Sequence, residues 1–299
     1  MMDITLLGTG GMLPLPGRAL TALYVRFEGR VLLIDCGEGT QTQIRAAGLR
    51  FKPIEAILIT HFHADHMAGL PGLLLTLGNE GRAEPLTMYG PVGLEKTVNS
   101  LRAIFPELPY ELKFREFGMD TDAQINVIGL DVAVFPADHG IDCLGYCMNL
   151  NRPGKFDPIA AKAKGIPQKL WGRLQKGESV DGFTPADVLG APRKGIRVLY
   201  CTDTRPVPGI ETYGMEADLM ILEGMFGEHD KQARAEASHH MMMQEAASLA
   251  AKTNSRELWL THYSPATPEP ELFAEELTAI FPNTVVAKDG MTKTLQFQD

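Results

Sequence analysis

Thr60-His61-Phe62-His63-Ala64-Asp65-His66 is the stretch on which the reading of this chain turns. It follows a β-branched, apolar run at Ile54, Ala56, Ile57, Leu58 and Ile59, which predicts a buried strand running out into a loop. Three imidazoles and a carboxylate packed this closely form a ligand set that suits zinc. Alternation along an extended segment puts His61 and His63 on one side. Asp65 and His66 come next, as the chain turns into an apolar helix expected over 67–77, where they can face a second metal. A polar loop of satisfied core histidines is the plainer alternative, but it would leave several strongly polar groups without partners.

Three more ligand-type residues stand where core strands should end. His139 follows a strand-like segment over 131–136, Asp203 ends another at 197–201, and His262 ends a third at 258–261. Strand ends running into loops are the usual place for site residues on α/β scaffolds. A lone histidine or aspartate there would be structural more often than not. Three of them beside so dense a cluster point instead to a shared metal centre.

The rest of the chain alternates strand with helix. Strands are expected at 3–7, 20–27, 31–35, 86–89, 111–117, 130–136, 144–150 and 218–223. Helices are expected from near Gln41 and over 93–104, 241–251 and 269–280, before a closing strand. The turn at 35–40 should cap the first of these helices. Gly8-Thr9-Gly10-Gly11 lacks a following Gly-x-Gly-x-x-Gly helix and reads as tight-turn geometry rather than a phosphate cradle. Met241–Met243 read as helix packing, not as a thioether metal site.

The 299 residues allow one large domain or two small ones, and 44% hydrophobic with 22% charged residues describes an ordinary globular protein. No apolar run approaches the roughly 20 residues of a membrane helix, so no membrane role is expected. The start of the chain lacks a signal-peptide profile. Cys36, Cys143, Cys147 and Cys201 form no Cys-x-x-Cys pair, which fits buried thiols in a reduced, cytoplasmic compartment.

Net charge is −9, which argues against DNA or any indiscriminate nucleic-acid binding by the whole surface. One segment runs against it. Between Leu150 and Tyr200, ten basic residues face four acidic ones, +6 in all, leaving −15 for the remainder. Lys162, Lys164, Lys169 and Arg173 lie in the middle of it. Gly, Pro and Lys punctuate this stretch and its apolar content is thin. It reads as an arm, inserted at 152–195, with one or two short helices or a disordered loop.

His-x-His-x-Asp-His, a later histidine, a strand-end aspartate and a final histidine resemble the metallo-β-lactamase fold, an α/β (α+β) four-layer αββα sandwich. The finer likeness is to ribonuclease Z, the tRNA 3′-processing endonuclease family. Leu7-Gly8-Thr9-Gly10-Gly11 through Pro14 and Arg18 resembles its opening signature, as does the stretch from Leu33 to Gln41. Asp138-His139-Gly140, continuing to Leu144-Gly145-Tyr146, is similar to its middle motif, and Gly154-Lys155-Phe156-Asp157 with 174–180 resembles its tRNA-gripping arm. The resemblance implies two zinc ions, with manganese or iron as substitutes. His61, His63 and His139 would hold one and Asp65, His66 and His262 the other, with Asp203 bridging and Asp35 orienting a metal-bound histidine. It further implies that Asp65 takes a proton from water and that Glu223 and His240 form an acid relay. The substrate would be precursor tRNA and the enzyme a homodimer whose arm reaches RNA at the partner's site.

The pattern departs at Leu222 before Glu223, at Met241 and Met242 after His240, at Gln168 in the arm and at Ala266 after His262. All of these fall on substrate-handling parts. The alternative is therefore a hydrolase of small phosphodiesters or other esters with the same metal centre. A non-enzymatic RNA-binding module would be expected to have broken ligands, and a lactamase or thioesterase would leave the basic arm unexplained.

Overall fold

The computed structural model describes residues 1–104, 107–120 and 122–298. Fourteen strands among the described residues form two seven-stranded sheets. Strands β1 (Met2–Gly8), β2 (Ala22–Phe27), β3 (Arg30–Ile34), β4 (Ile54–Leu58), β5 (Leu86–Pro91) and β6 (Leu112–Phe117) build the first sheet. The second contains β7 (Ala123–Val127), β8 (Leu130–Pro136), β9 (Leu144–Arg152), β10 (Arg193–Cys201), β11 (Leu219–Glu223), β12 (Leu258–Thr261) and β13 (Thr284–Val286). Strand β14 (Met291–Leu295) returns to the edge of the first, antiparallel to β1.

Each sheet is antiparallel on one side and parallel on the other. The hairpin β2–β3 gives way to parallel β3, β4, β5 and β6, and antiparallel β7–β8–β9 faces parallel β10, β11, β12 and β13. The central parallel strands β3, β11 and β12 bury both faces, as strands do when helices cover one side and a second sheet the other, while edge strand β6 leaves Lys113, Arg115 and Glu116 exposed. In β3, Val31 and Leu33 join the core beneath α1 (Thr40–Ala46) and the helices that follow, while Leu32 and Ile34 are buried on the opposite face. In β11, Met220 and Leu222 pack with helix residues such as Ala246 and Ala250, while Leu219 and Ile221 are buried on the other side. The Tyr146 hydroxyl donates to Ile59 O at 2.6 Å, pinning the end of β4 to β9.

The helix expected over 67–77 is two helices, α2 (Ala64–Met67) and α3 (Leu70–Asn79). Gly69 separates them because its N–H donates to Cys36 O at 2.9 Å, and a Cβ there would stand 2.1 Å from Gly37 O. Asp65 and His66 thus lie on their own helical turn. Helix α1 starts from Gly39 at φ +88°, with no side-chain cap. Helix α4 (Leu94–Leu101) follows β5. The short strand β7 escapes the sequence reading.

By compactness the chain divides into two units, Met1–Asn149 with Arg197–Gln296, and Leu150–Ile196 with the chain end from Phe297. The second, expected to be thin in apolar content, has a small core of its own. Ala161, Ile166, Leu170, Leu174, Val180 and Val188 are buried together in it. Helix α5 (Pro158–Ala163) is capped by Asp157, which accepts the Ile159 and Ala160 N–H groups at 2.9 and 3.0 Å. Helix α6 (Gln168–Gln175) turns Leu170 and Leu174 inward. In the first unit, α7 (Pro208–Gly214), α8 (Gln232–Ala237), α9 (Met243–Lys252) and α10 (Ala274–Ile280) complete the helices. No helix among the described residues is long and apolar enough to cross a membrane.

Candidate metal centre

The ends of β3, β4, β8, β10, β11 and β12 carry the candidate ligands. His61 Nε2 lies 3.0 Å from His63 Nδ1, and His139 Nε2 lies 3.2 Å from the same atom. His66 Nε2 and His262 Nε2 are 3.1 Å apart, with Asp65 Oδ2 at 3.8 and 3.3 Å from them and Asp203 Oδ2 at 3.1 and 3.2 Å. Asp203 also groups with His61 and His66, and with His139 and His240, so it stands between the two clusters.

These distances allow a test. Metal–imidazole bonds of about 2.0–2.1 Å in a tetrahedron separate ligand atoms by roughly 3.3–3.4 Å. The observed nitrogen spacings are close to that, and a hydrogen bond cannot satisfy three ring nitrogens meeting at one point. Asp203 Oδ2 is buried with no hydrogen bond of proper geometry despite its two imidazole neighbours. The residues therefore fit two adjacent metal ions, one facing His61, His63 and His139 and the other facing Asp65, His66 and His262.

Local backbone conformation aims these groups. Asp35, Asp203 and His262 have φ of +60°, +55° and +56°. The left-handed region costs a non-glycine residue about 1–2 kcal/mol, so the surroundings must hold them there. Asp35 is buried, accepts Thr60 N–H at 2.8 Å on Oδ1, and lies 2.8 Å from His66 Nδ1 through Oδ2. The Thr60 hydroxyl sits 3.0 Å from His61 Nδ1. His139 Nδ1 is held by His239 O at 3.3 Å.

Protonation follows from burial and charge. Burial, then the nearby His66 charge, keeps His61 well below the usual histidine range; burial likewise lowers His139. Burial also lowers His66, but Asp203 and Asp35 outweigh it and raise the group well above that range. For Asp203, burial is overcome by His262, His66 and His61, so the carboxylate stays ionised. For Asp65, burial is overcome by its hydrogen bond to His262 and the charge of His66. His61 and His139, kept neutral, and Asp65 and Asp203, kept ionised, are thus in ligand form, while His66 holds a proton that a metal would displace.

His240 lies beside the centre, its ring 5.0 Å from that of His139 and 5.9 Å from that of His262. Its Nδ1 meets Glu223 Oε2 at 2.9 Å, while Glu223 Oε1 accepts the Thr204 N–H. His239, its neighbour, turns away to Asp138 at 2.8 Å. Burial lowers His240, but Glu223, Asp203 and Asp65 push it up to about 9.

Lys162, Lys164, Lys169 and Arg173 are all exposed, and two of them are matched by nearby acids. Lys164 pairs with Asp187 at 2.5 Å and Arg173 with Glu178, while Lys162 and Lys169 make no ion pair among the described residues.

Several contributors left no mark in the sequence reading. The Met12 N–H donates to Asp65 Oδ2 at 2.6 Å. Gly11 lies against the His262 ring, where a Cβ would come within 2.5 Å. Asp289 gathers the Thr9 N–H, Thr9 hydroxyl and Ala19 N–H, closing the loop that carries both residues. The sequence predicts tight-turn geometry at Gly8–Gly11 and gives no sign that Gly11 meets His262.

Known proteins resemble this chain in sequence and in fold. The chain is 49% identical to a ribonuclease Z of Lachnospira eligens over 100% of its own length and 99% of that protein. It is 43% identical to a ribonuclease Z of Clostridium acetobutylicum over the full length of both. Its fold matches the crystal structure of human tRNase Z, short form, with a TM-score of 0.73 at 24% identity, over 99% of this chain and 100% of that one. A family profile described as Anti-Pycsar protein Apyc1 also matches residues 2–143. The chain belongs to the ribonuclease Z family, metal-dependent endoribonucleases of the metallo-β-lactamase superfamily.

Proposed function

We propose that this enzyme cleaves the 3′ trailer from precursor tRNA with two zinc ions, and that it does so as a cytoplasmic homodimer. The observation that carries the chemistry is the pair of donor clusters flanking Asp203, with the His240–Glu223 pair beside them. The relatives' name supports the substrate.

His61, His63 and His139 would hold one ion and Asp65, His66 and His262 the other, with Asp203 shared. Bound ions supply the Lewis acidity that makes a water a nucleophile near neutral pH and offsets charge on the phosphoryl oxygens. Asp65, held in place by the Met12 N–H on Oδ2, would take the attacking water's proton. His240 keeps Nδ1 on Glu223, so Nε2 is the atom that presents a proton. As the P–O bond to the leaving ribose oxygen breaks, that proton passes to the oxygen. The Glu223 carboxylate on Nδ1 favours the protonated imidazole, the form a general acid needs.

The test is His240→Ala with a precursor tRNA and with bis(p-nitrophenyl) phosphate. Loss of a general acid costs about two to four decades, and the loss should shrink for p-nitrophenolate, which leaves without a proton. Equal losses on both substrates would remove the acid role, and failure to cut precursor tRNA would remove the substrate.

A further inference from the structure

Arg205 stands outside the ligand array, yet it ties together three segments that carry it. Its Nη1 donates to His240 O at 2.5 Å and to Glu245 Oε2 at 2.8 Å, while Nη2 pairs with Glu245 Oε1. Glu245 Oε2 also accepts the Met242 N–H at 2.9 Å at the start of α9. The Arg205 N–H donates to Asp138 O at 2.9 Å, and the Asp138 N–H donates to the Thr204 hydroxyl at 2.9 Å. One residue thus touches the loop of His139, the strand end of Asp203 and the turn of His240. Its side chain is 16% exposed and that of Glu245 24%, so the pair is shielded enough for its geometry to count.

The His240 turn needs this bracket. His239 sits at φ +56°, and Met241 and Met242 bring buried apolar side chains with no hydroxyl to bond the backbone. The imidazole is oriented by Glu223, which fixes the ring but not the main chain beneath it. The His240 carbonyl is fixed by Arg205, and the next peptide by Glu245. A reacting group misplaced by about 1 Å loses on the order of a hundredfold in rate.

We propose that Arg205, braced by Glu245, is a positioning residue that sets where His240 Nε2 presents its proton, while binding neither metal nor substrate. The inference rests on the reading of His240 as proton donor. A lysine could reach one of these acceptors but cannot reproduce the planar fork that spans the carbonyl and both carboxylate oxygens.

The experiment is a double-mutant cycle on the metal-loaded enzyme with Arg205→Met, His240→Ala and both together. Turnover and KM are measured on precursor tRNA and a short oligoribonucleotide, which share a ribose leaving group, and on bis(p-nitrophenyl) phosphate. Arg205→Met should lower kcat on RNA on the order of 10–100-fold, with KM and metal content close to wild type. The loss should be much smaller on the p-nitrophenyl ester, and Arg205→Met should cost nothing further in the His240→Ala background. Arg205→Lys should recover part of the loss. If Arg205→Met does not fold, Glu245→Gln removes the same brace from its other end and should give the same substrate pattern. Equal loss on RNA and on the p-nitrophenyl ester, release of metal, or additive losses would overturn the proposal. If His240→Ala itself fails to distinguish the substrates, the proton-donor reading falls. The cycle then still decides whether Arg205 acts through His240, since additivity would deny it.

Discussion

Replacing Asp35 by asparagine keeps the volume of a buried side chain and removes one acceptor. Both carboxylate oxygens are in use: Oδ1 takes the Thr60 N–H at 2.8 Å, Oδ2 meets His66 Nδ1 at 2.8 Å, and the Thr60 hydroxyl reaches them at 3.1 and 2.9 Å. A histidine whose Nε2 holds a metal carries its hydrogen on Nδ1 and must donate it. Asparagine has a single oxygen, so one of its N–H groups would face either Thr60 N–H or His66 Nδ1–H. A buried donor left unpaired costs about 1–3 kcal/mol. Loss of a partner behind a metal-bound histidine weakens metal about 10–100-fold, which is about 1.4–2.7 kcal/mol, so the two figures agree. Competition of a chromophoric chelator with wild-type and Asp35→Asn protein would read both sites, and urea unfolding of the metal-free proteins would read the fold. The site on Asp65, His66 and His262 should weaken by that factor, and that on His61, His63 and His139 by less. Two unchanged affinities would show that the Asp35–His66 bond contributes nothing to metal binding.

Asp203→Ala should loosen both metals, because its carboxylate lies against both clusters; elemental analysis showing full occupancy would take Asp203 out of the bridge. Metal uptake should release about one proton per chain near neutral pH from His66. Its raised pKa keeps it charged in the metal-free protein, so apparent affinity must fall as pH is lowered, and titration calorimetry in buffers of different ionisation enthalpy would miss that proton only if His66 is not a ligand. Replacing Lys162, Lys164, Lys169 and Arg173 with alanine should weaken tRNA binding and flatten its dependence on log salt by about 0.7–0.9 per lost phosphate contact. Most of that change should come with Lys162 and Lys169 alone, since Asp187 and Glu178 already neutralise the other two. An unaltered slope would favour the hydrolase of small phosphodiesters.

What could be read in advance was local or periodic. His61, His63, Asp65 and His66 lie within one turn of chain, and strands β8 and β12 stand out as apolar runs with a ligand just beyond. The break at Gly69 was not readable, because it depends on Cys36 and Gly37 lying across the helix. Nor was the small core of the arm, since Ala161, Ile166, Leu170 and Val188 are spaced too widely to show as a run. The least legible were partners that act through the backbone. The Met12 N–H on Asp65 and the His239 carbonyl on His139 would be the same atoms in any residue.

The placement of the ligands also couples metal to fold. Each cluster draws on both sheets: His61 and His63 follow β4 while His139 follows β8, and Asp65 and His66 follow β4 while His262 follows β12. Neither sheet can assemble a cluster alone, so the unfolded chain presents no comparable site, and metal bound to the native state must stabilise it. The reverse also holds. The Leu144 N–H donates to Thr60 O at 3.0 Å and the Tyr146 hydroxyl to Ile59 O, so β9 is pinned to the very segment that carries the histidine cluster. A packing change between the sheets, far from any ligand, would therefore be felt as lost metal before it was felt as lost secondary structure.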